Sequence, residues 1–355
     1  MIHKPQNRGA ETFACQLSGH LVALGHQVEI VALFSGEASL PYKGEIHNLN
    51  ASPGTRFFDV KAWKRLAGII RSFKPDIVQA NAGDTLKYAV FSKLFFRWKT
   101  PILFRNASEV GRYLNSNFQK HYNSFLYRHI GWVASVSKAS EQDLLRQFSF
   151  LKGKTEVLPV GLEEKKEIPP VKLNPASVNH IVHVGGFSFE KNHKGLLRIL
   201  KLVLDMDDQV HLHLVGDGPL KKEIELEVKK MRLVTRVSFH GFVNNPLSYI
   251  NAGNVLVLPS IIEGLPGVLL EAMFCRTPVV AYNVGGISEI VNPETGYLIE
   301  KDNEEAFAKT VGELLASSDP IRLAKANEMV RKKFINKNIA LKFVNSYRKL
   351  VEGEE

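Results

Sequence analysis

The stretch Glu263-Gly264-Leu265-Pro266-Gly267-Val268-Leu269-Leu270-Glu271 decides how this chain is read. An apolar run, Val255-Leu256-Val257-Leu258-Pro259, precedes it and predicts a buried strand. A second apolar run, Pro278 to Tyr282, follows it and leads into Gly285-Gly286. Between them lies a Gly/Pro turn that opens a helix at the C-terminal end of a parallel strand, where open α/β sheets bind ligands. The first turn of such a helix offers free backbone N–H groups and a positive dipole end, which suits a phosphate. Pro266 fits the first helical position, where its missing N–H costs nothing. Carboxylates beside a diphosphate would repel it. Glu263 in the loop and Glu271 on the helix are therefore better suited to accept hydrogen bonds from sugar and ribose hydroxyls. That combination describes a nucleotide-sugar site.

Outward from this stretch the same alternation continues. Strands are expected at 181–185, 210–215 and 237–239, with helices at 193–204, 219–231 and 246–251 between them. Helices near 303–317, 320–333 and 337–350 follow. The segment from Glu163 to Pro175 is charged and Pro-rich, lacks an apolar period, and reads as a linker. Before it, helices at 11–24, 60–73, 85–98 and 117–129 alternate with strands Val28–Phe34, Ile77–Ala80, Ile102–Phe104, Trp132–Val136 and one near 155–158. Such alternation implies right-handed βαβ units and parallel sheets. The expected fold is α/β, with two doubly wound Rossmann-like domains facing across a cleft, at residues 1–165 and 176–335. Few residues precede the loop Asn7-Arg8-Gly9-Ala10-Glu11, so the first strand of the first domain is expected to be truncated, with Met1 to Lys4 as its stub.

Further motifs stand in order around the opening stretch: His183-Val184-Gly185-Gly186-Phe187-Ser188-Phe189-Glu190-Lys191-Asn192, Leu214-Val215-Gly216-Asp217-Gly218-Pro219, Phe239-His240-Gly241-Phe242-Val243 and Thr295-Gly296-Tyr297-Leu298-Ile299. Together with Glu263 and Glu271, separated by seven residues, they resemble the retaining glycosyltransferases of family 4 (glycosyl transferases group 1), which have the GT-B fold. The likeness is dense over residues 181–300. It is looser over residues 7–160, where Asn7 to Glu11 and Val157-Leu158-Pro159-Val160-Gly161 carry it. The resemblance implies that the last helix, 336–355, packs back on the N-terminal domain. It also implies transfer of a sugar from a nucleotide diphosphate sugar to a hydroxyl acceptor, in surface polysaccharide or lipid-linked glycan assembly.

The same resemblance assigns the candidate residues. Lys191 meets the donor diphosphate and Glu263 the sugar; these two are the catalytic candidates. Glu271 binds ribose, the amides of Gly267, Val268 and Leu269 face the phosphates, and Phe242 and Val243 neighbour the base. Gly9 and Ala10 belong to the N-domain loop that closes on the phosphates. An arginine usually precedes the lysine; here that position is Gly186, which lets backbone approach the phosphate. The histidine that many members carry after an N-domain strand is also missing, leaving Arg105 and Asn106 as acceptor-side candidates. Each has a plainer reading: a surface lysine, a loop carboxylate, a dipole-favoured helix glutamate, ordinary core packing at Phe242 and Val243, and a simple turn at Gly9-Ala10. His183 and His240 fall on strands and read as packing histidines.

Two other patterns are set aside. Gly216-Asp217-Gly218 lacks the third glycine of a dinucleotide fingerprint, since that position is Lys221, and reads as a tight turn. Asp205-Met206-Asp207-Asp208 fits an Asp-x-Asp metal pattern but falls between a helix and a strand away from the expected site, so no metal or other cofactor is invoked. Helix dipole and Lys191 would neutralise the leaving diphosphate.

The 355 residues, 45% of them hydrophobic, can bury two ordinary cores. The net charge of +10 is uneven: residues 1–170 hold 23 Lys/Arg against 14 Asp/Glu, and residues 171–355 hold 23 against 22. A basic half suggests an acidic partner such as an anionic membrane surface; no aromatic-basic motif supports nucleic acid. Helix 85–98 and its flank mix Lys87, Lys93, Arg97 and Lys99 with aromatic residues, and Phe91, Phe95 and Trp98 are expected to face the sheet. Cys15 and Cys275 lack metal-ligand spacing and read as core residues in a reducing compartment. With no apolar run of ~20 residues and no signal peptide, the expected setting is cytoplasmic, peripheral at the inner face of the membrane. The alternatives are a catalytically silent nucleotide-sugar-binding subunit of a membrane glycan complex and a GT-B nucleotide-sugar epimerase.

Overall fold

The computed structural model describes every residue except 7, 53, 55–57, 176–178, 354 and 355. Asn7 of the loop motif and the expected domain start at 176 lie outside the described residues. The chain divides into two compact units, Met1–Glu163 with Asn336–Glu355, and Glu164–Ile335.

In the second unit six parallel strands form one sheet: β7 (Asn179–Val184), β8 (Val210–Val215), β9 (Val237–Gly241), β10 (Val255–Leu258), β11 (Val279–Tyr282) and β12 (Tyr297–Ile299). Their spatial order is β12-β11-β10-β7-β8-β9. The winding runs outward from β7 through β8 to β9, then returns to the other side of β7 at β10. The C-terminal ends of β7 and β10 therefore flank the point where direction reverses, the place at which connecting loops part and leave a crevice. β8, β10 and β11 are buried at every position, as expected for strands covered on both faces. Helices α6 (His193–Met206), α7 (Lys221–Lys230), α8 (Pro246–Ala252), α9 (Gly267–Phe274), α10 (Glu304–Ala316) and α11 (Pro320–Lys333) link or follow these strands. Asn192, Asn303 and Asp319 cap α6, α10 and α11 through side-chain oxygens that accept first-turn N–H groups.

The first unit holds β1 (Ile30–Ala32) beside β2 (Ile46–Asn48), and β3 (Val78–Ala80), β4 (Ile102–Asn106), β5 (Trp132–Ser135) and β6 (Thr155–Val157) in that order. Between the two groups runs an extended segment at Met1 to His3. Ile2 pairs in parallel with Ala32. The Met1 amine donates to Gln79 O at 2.6 Å, and Asn81 N donates to Met1 O. Met1 to His3 thus complete the hydrogen bonding between β1 and β3. Burial lowers the pKa of that amine to about 5. A cavity of about 530 Å³ continues this slot toward Val28, Ile77 and Ile70.

Helices α2 (Val60–Phe73), α3 (Gly83–Phe96), α4 (Asn117–Tyr127) and α5 (Lys138–Gln147) share a core with β3, β4 and β5 that includes Trp63, Leu66, Ala89, Phe104 and Leu144. α1 (Gly9–Ala23) and α12 (Asn336–Glu352) build a second core from Phe13, Leu17, Ile339 and Phe343 against Leu103 and Trp132.

Several expectations need adjustment. β2 and α5 were not anticipated: β2 is a short, half-buried Ile-His-Asn, and α5 carries few apolar residues beyond Leu144 and Leu145. The segment read as a linker is docked. Asn251 donates to Ile168 O, Val171 N donates to Ser248 O, and Leu173 is buried. Pro266 is the cap of α9 rather than its first residue, and Gly9 and Ala10 open α1 rather than precede it. Phe91 of α3 and Trp98 just after it turn inward as expected, but Phe95 is 56% exposed because α3 has an outer as well as an inner face.

Candidate functional site

The ends of β7 and β10 bring the two catalytic candidates together. Lys191 closes a single 3-10 turn, Phe189–Lys191, after β7, and Glu263 stands in the loop after β10. Lys191 Nζ donates to Glu263 Oε1 at 2.6 Å. The exposure of the two side chains is 21% and 10%, low enough for the pairing to be only partly screened by water. Backbone and side-chain bonds fix both loops: Ile261 N donates to Glu190 O at 2.8 Å, and Asn192 Nδ2 donates to Pro259 O at 3.1 Å.

The third wall comes from the β11 end. Gly286 N donates to Gly264 O at 2.8 Å. Gly285 has φ +55°, and a Cβ there would lie 1.9 Å from Glu263 O, so only glycine fits. This role was missed from sequence, although the Gly285-Gly286 pair at a strand end was its visible signal. The fourth wall comes from β8. Gly216 and Gly218 pack on the backbone of Gly185 and Phe187, so this turn supports the Lys191 loop from behind.

On α9, the amides of Gly267 and Val268 have no hydrogen-bond partner among the described residues, as the first turn of a helix requires. Leu269 departs from expectation: its amide already donates to Pro266 O at 3.2 Å. Glu271 lies one turn further on, half-buried. Burial raises its pKa to about 7, against a smaller opposing pull from Lys165. Lys165 is a neighbour that sequence spacing did not indicate. At neutral pH the Glu271 carboxyl is thus divided between acid and carboxylate.

Gly186 is exposed and has room. Its nearest neighbour for an added Cβ is Asp217 O at 3.5 Å, an ordinary contact. Phe242 is exposed and Val243 half-buried, both just beyond β9. Behind Lys191, His183 and His193 are buried with rings 4.8 Å apart, and His193 stacks on Phe187 at 4.2 Å. His183 Nδ1 bonds to Val257 O, whereas His183 Nε2, both His193 ring nitrogens and Ser260 Oγ have no partner among the described residues. Burial, reinforced at His193 by His183 and Lys191, holds these two imidazoles neutral, with pKa values of about 4 and about 2. His240 Nε2 bonds to His213 Nδ1 at 3.0 Å, in keeping with a packing role.

The remaining candidates belong to the first unit. Gly9 and Ala10 are the first two residues of α1. Arg105 and Asn106 end β4 and are both buried. The Arg105 guanidinium stacks 4.1 Å over Phe13, and its Nε and Nη2 have no partner among the described residues. Burial lowers its pKa only to about 10, so it stays charged. Asn106 is engaged internally, donating to Ser140 O at 3.1 Å. Asp207, of the set-aside aspartate run, accepts from Gln209 N and Asn179 Nδ2 in the turn before β8.

Two family models match successive parts of this chain. Residues 7–166 match Glycosyltransferase Family 4, and residues 164–333 match Glycosyl transferases group 1. The chain belongs to the group 1 glycosyltransferases. Its fold is GT-B. Sucrose-phosphate synthase from Thermosynechococcus elongatus superimposes with a TM-score of 0.83 at 24% identity, over 99% of this chain and 96% of that one. Anabaena Alr3699/HepE in complex with UDP-glucose superimposes with a TM-score of 0.81 at 17% identity, over 97% and 98%. Among curated relatives, the N-acetylgalactosamine-N,N'-diacetylbacillosaminyl-diphospho-undecaprenol 4-alpha-N-acetylgalactosaminyltransferase of Campylobacter jejuni is 30% identical over 227 residues, 61% of this chain. The chain spans 60% of that relative's length. No helix among the described residues is long and apolar enough to cross a membrane.

Proposed function

We propose that the chain transfers a sugar from a nucleoside diphosphate sugar to a hydroxyl of a lipid-linked or polysaccharide acceptor, with retention at the anomeric carbon. The observation that carries this reading is the meeting of Lys191 and Glu263 at the reversal point of the sheet. Glu263 stands in the loop that leads into α9, whose Gly267 and Val268 amides have no partner among the described residues. Group 1 membership and the lipid-linked substrate in the Campylobacter relative's name support it.

The chemistry follows from charge. The bond from the anomeric carbon to the diphosphate oxygen breaks with its electron pair leaving on oxygen. Lys191 and the Gly267 and Val268 amides stabilise that negative charge as it grows. The acceptor oxygen bonds to the same carbon from the face the phosphate leaves, and its proton passes to the departing phosphate oxygen. Glu263 orients the sugar hydroxyls, and Glu271 accepts from the ribose. Lys191 and the helix end supply the charge compensation, so turnover is metal-independent in this scheme. A screen of nucleotide sugars, following release of nucleoside diphosphate and the anomeric configuration of the product by NMR, tests it. Inverted product or strict dependence on a divalent ion would overturn those parts. Tight donor binding without turnover would favour the silent binder, to which Gly186 lends weight.

A further inference from the structure

We infer that the outer surface of α2, α3 and α4 is a docking face for an anionic lipid bilayer. Its setting rests on the lipid-linked acceptor reading, because a membrane carrier would bring that acceptor to the enzyme.

Charge is the first observation. The unit made of Met1–Glu163 and Asn336–Glu355 holds 25 Lys/Arg against 15 Asp/Glu, whereas Glu164–Ile335 holds 21 of each. All of the excess positive charge therefore lies in one unit. Within it, α2 and α4 contain no Asp or Glu at all, while Lys61, Lys64 and Lys120 on them are exposed. α3 adds one carboxylate, Asp84, which pairs with Lys87; the excess of cations on α2 and α4 complements anionic head groups.

The second observation is a connected aromatic patch. Trp63 of α2 packs on Phe91 and Phe95 of α3, at 5.2 and 5.1 Å, and Phe58 lies 6.5 Å from Trp63. Phe91 in turn meets Tyr122 and Phe125 of α4, at 6.4 and 6.1 Å. Phe118, Tyr122 and Phe125 stand at i, i+4 and i+7, so Phe118 extends the stripe past the last ring contact. The outer members are widely exposed: Phe58 76%, Phe95 56% and Phe118 77%. Single exposed apolar residues are ordinary, but joined aromatic ones rimmed by polar groups mark an interface. Aromatic rings among cations suit the head-group layer of a bilayer, where ring and charge are both accommodated.

The face differs from one drawn on α3 alone. Lys93 is not free to meet lipid, because its Nζ donates to Thr100 O at 2.8 Å and sits over Trp98. Lys87 is buried. Cations from α2 and α4 take their place.

Cosedimentation with vesicles of phosphatidylglycerol and phosphatidylcholine in equal parts, against pure phosphatidylcholine, tests the assignment. Wild type should bind the mixed vesicles at low salt and release at high salt. The triple variant Lys61→Gln, Lys64→Gln, Lys120→Gln should partition about a hundredfold less, at about fivefold per cation. Phe95→Ser with Phe118→Ser should also reduce binding while melting temperature and turnover on a water-soluble acceptor stay unchanged. Failure of wild type to bind, or equal partitioning of all variants, overturns the docking face. So does a dimer that the Phe variants abolish, since the patch would then join two copies. Turnover on the soluble acceptor reports separately on the proposed reaction.

Discussion

Lys191 Nζ and Glu263 Oε1 lie 2.6 Å apart although 72 residues separate them, so in the free protein the two catalytic candidates neutralise each other. A diphosphate entering the site competes with Glu263 for Lys191. Glu263→Gln should therefore tighten binding of the bare nucleoside diphosphate several-fold in calorimetry while turnover falls. Lys191→Ala should lower turnover by roughly 10²–10³, the scale for losing one preorganised charge stabiliser, with a smaller change in the donor KM. Weaker nucleotide binding by Glu263→Gln would mean that the carboxylate positions Lys191 rather than competes for it.

Glu271 links binding to pH. Its folded pKa of about 7 lies above the ordinary 4.5, because burial disfavours the charged form. The fold thus holds an extra proton between those values and loses stability as pH rises through that window. Ribose O–H donors favour the carboxylate, so nucleotide binding should release a proton and tighten as pH rises from about 6 to 8. Calorimetry in buffers of different ionisation enthalpy measures that proton. Glu271→Gln should abolish the pH dependence. Glu271→Ala should weaken binding about ten- to a hundredfold, for a charge-assisted bond worth ~1.5–3 kcal/mol.

Two glycines near the site should respond in opposite ways. Gly285→Ala places a methyl 1.9 Å from Glu263 O at φ +55°, so the loop must shift. A loss of roughly 1–3 kcal/mol in stability and of donor affinity is expected from urea unfolding and calorimetry. Gly186→Arg meets only an ordinary contact with Asp217 O and adds a cation to the loop that leads to Lys191. Its melting temperature should match wild type, and nucleoside diphosphate affinity should rise. A large drop in melting temperature would show that backbone freedom at Gly186 is needed.

Acid should unfold the second unit early. Burial holds His183, His193 and His213 neutral, with folded pKa values of about 4, about 2 and about 3 against an ordinary 6.5. A depressed base binds fewer protons folded than unfolded, so the stability it confers is present above pH 6.5 and lost as pH falls below it. Three such groups cost roughly 4 kcal/mol for each pH unit in that range. Urea midpoints measured by near-UV circular dichroism between pH 7 and 5 would show this; a flat profile would contradict it.

Much of this was legible along the chain. The strand–helix alternation, the Gly/Pro turn between Glu263 and Glu271 and the uneven charge depend on residues close in sequence, whose periodicity and backbone preferences act locally. The pairing role of the first residues was also readable, since β1 and β3 need a partner between them. Tertiary structure alone decided the rest. It set the ion pair of Lys191 with Glu263, the closeness of Gly285 to Glu263 O, the neighbourhood of Lys165 and Glu271, and the joining of α2, α3 and α4 into one aromatic face. Each depends on which strands become neighbours and how far side chains are withdrawn from water. Local propensity carries no record of either, because both arise only when residues distant in sequence are packed together.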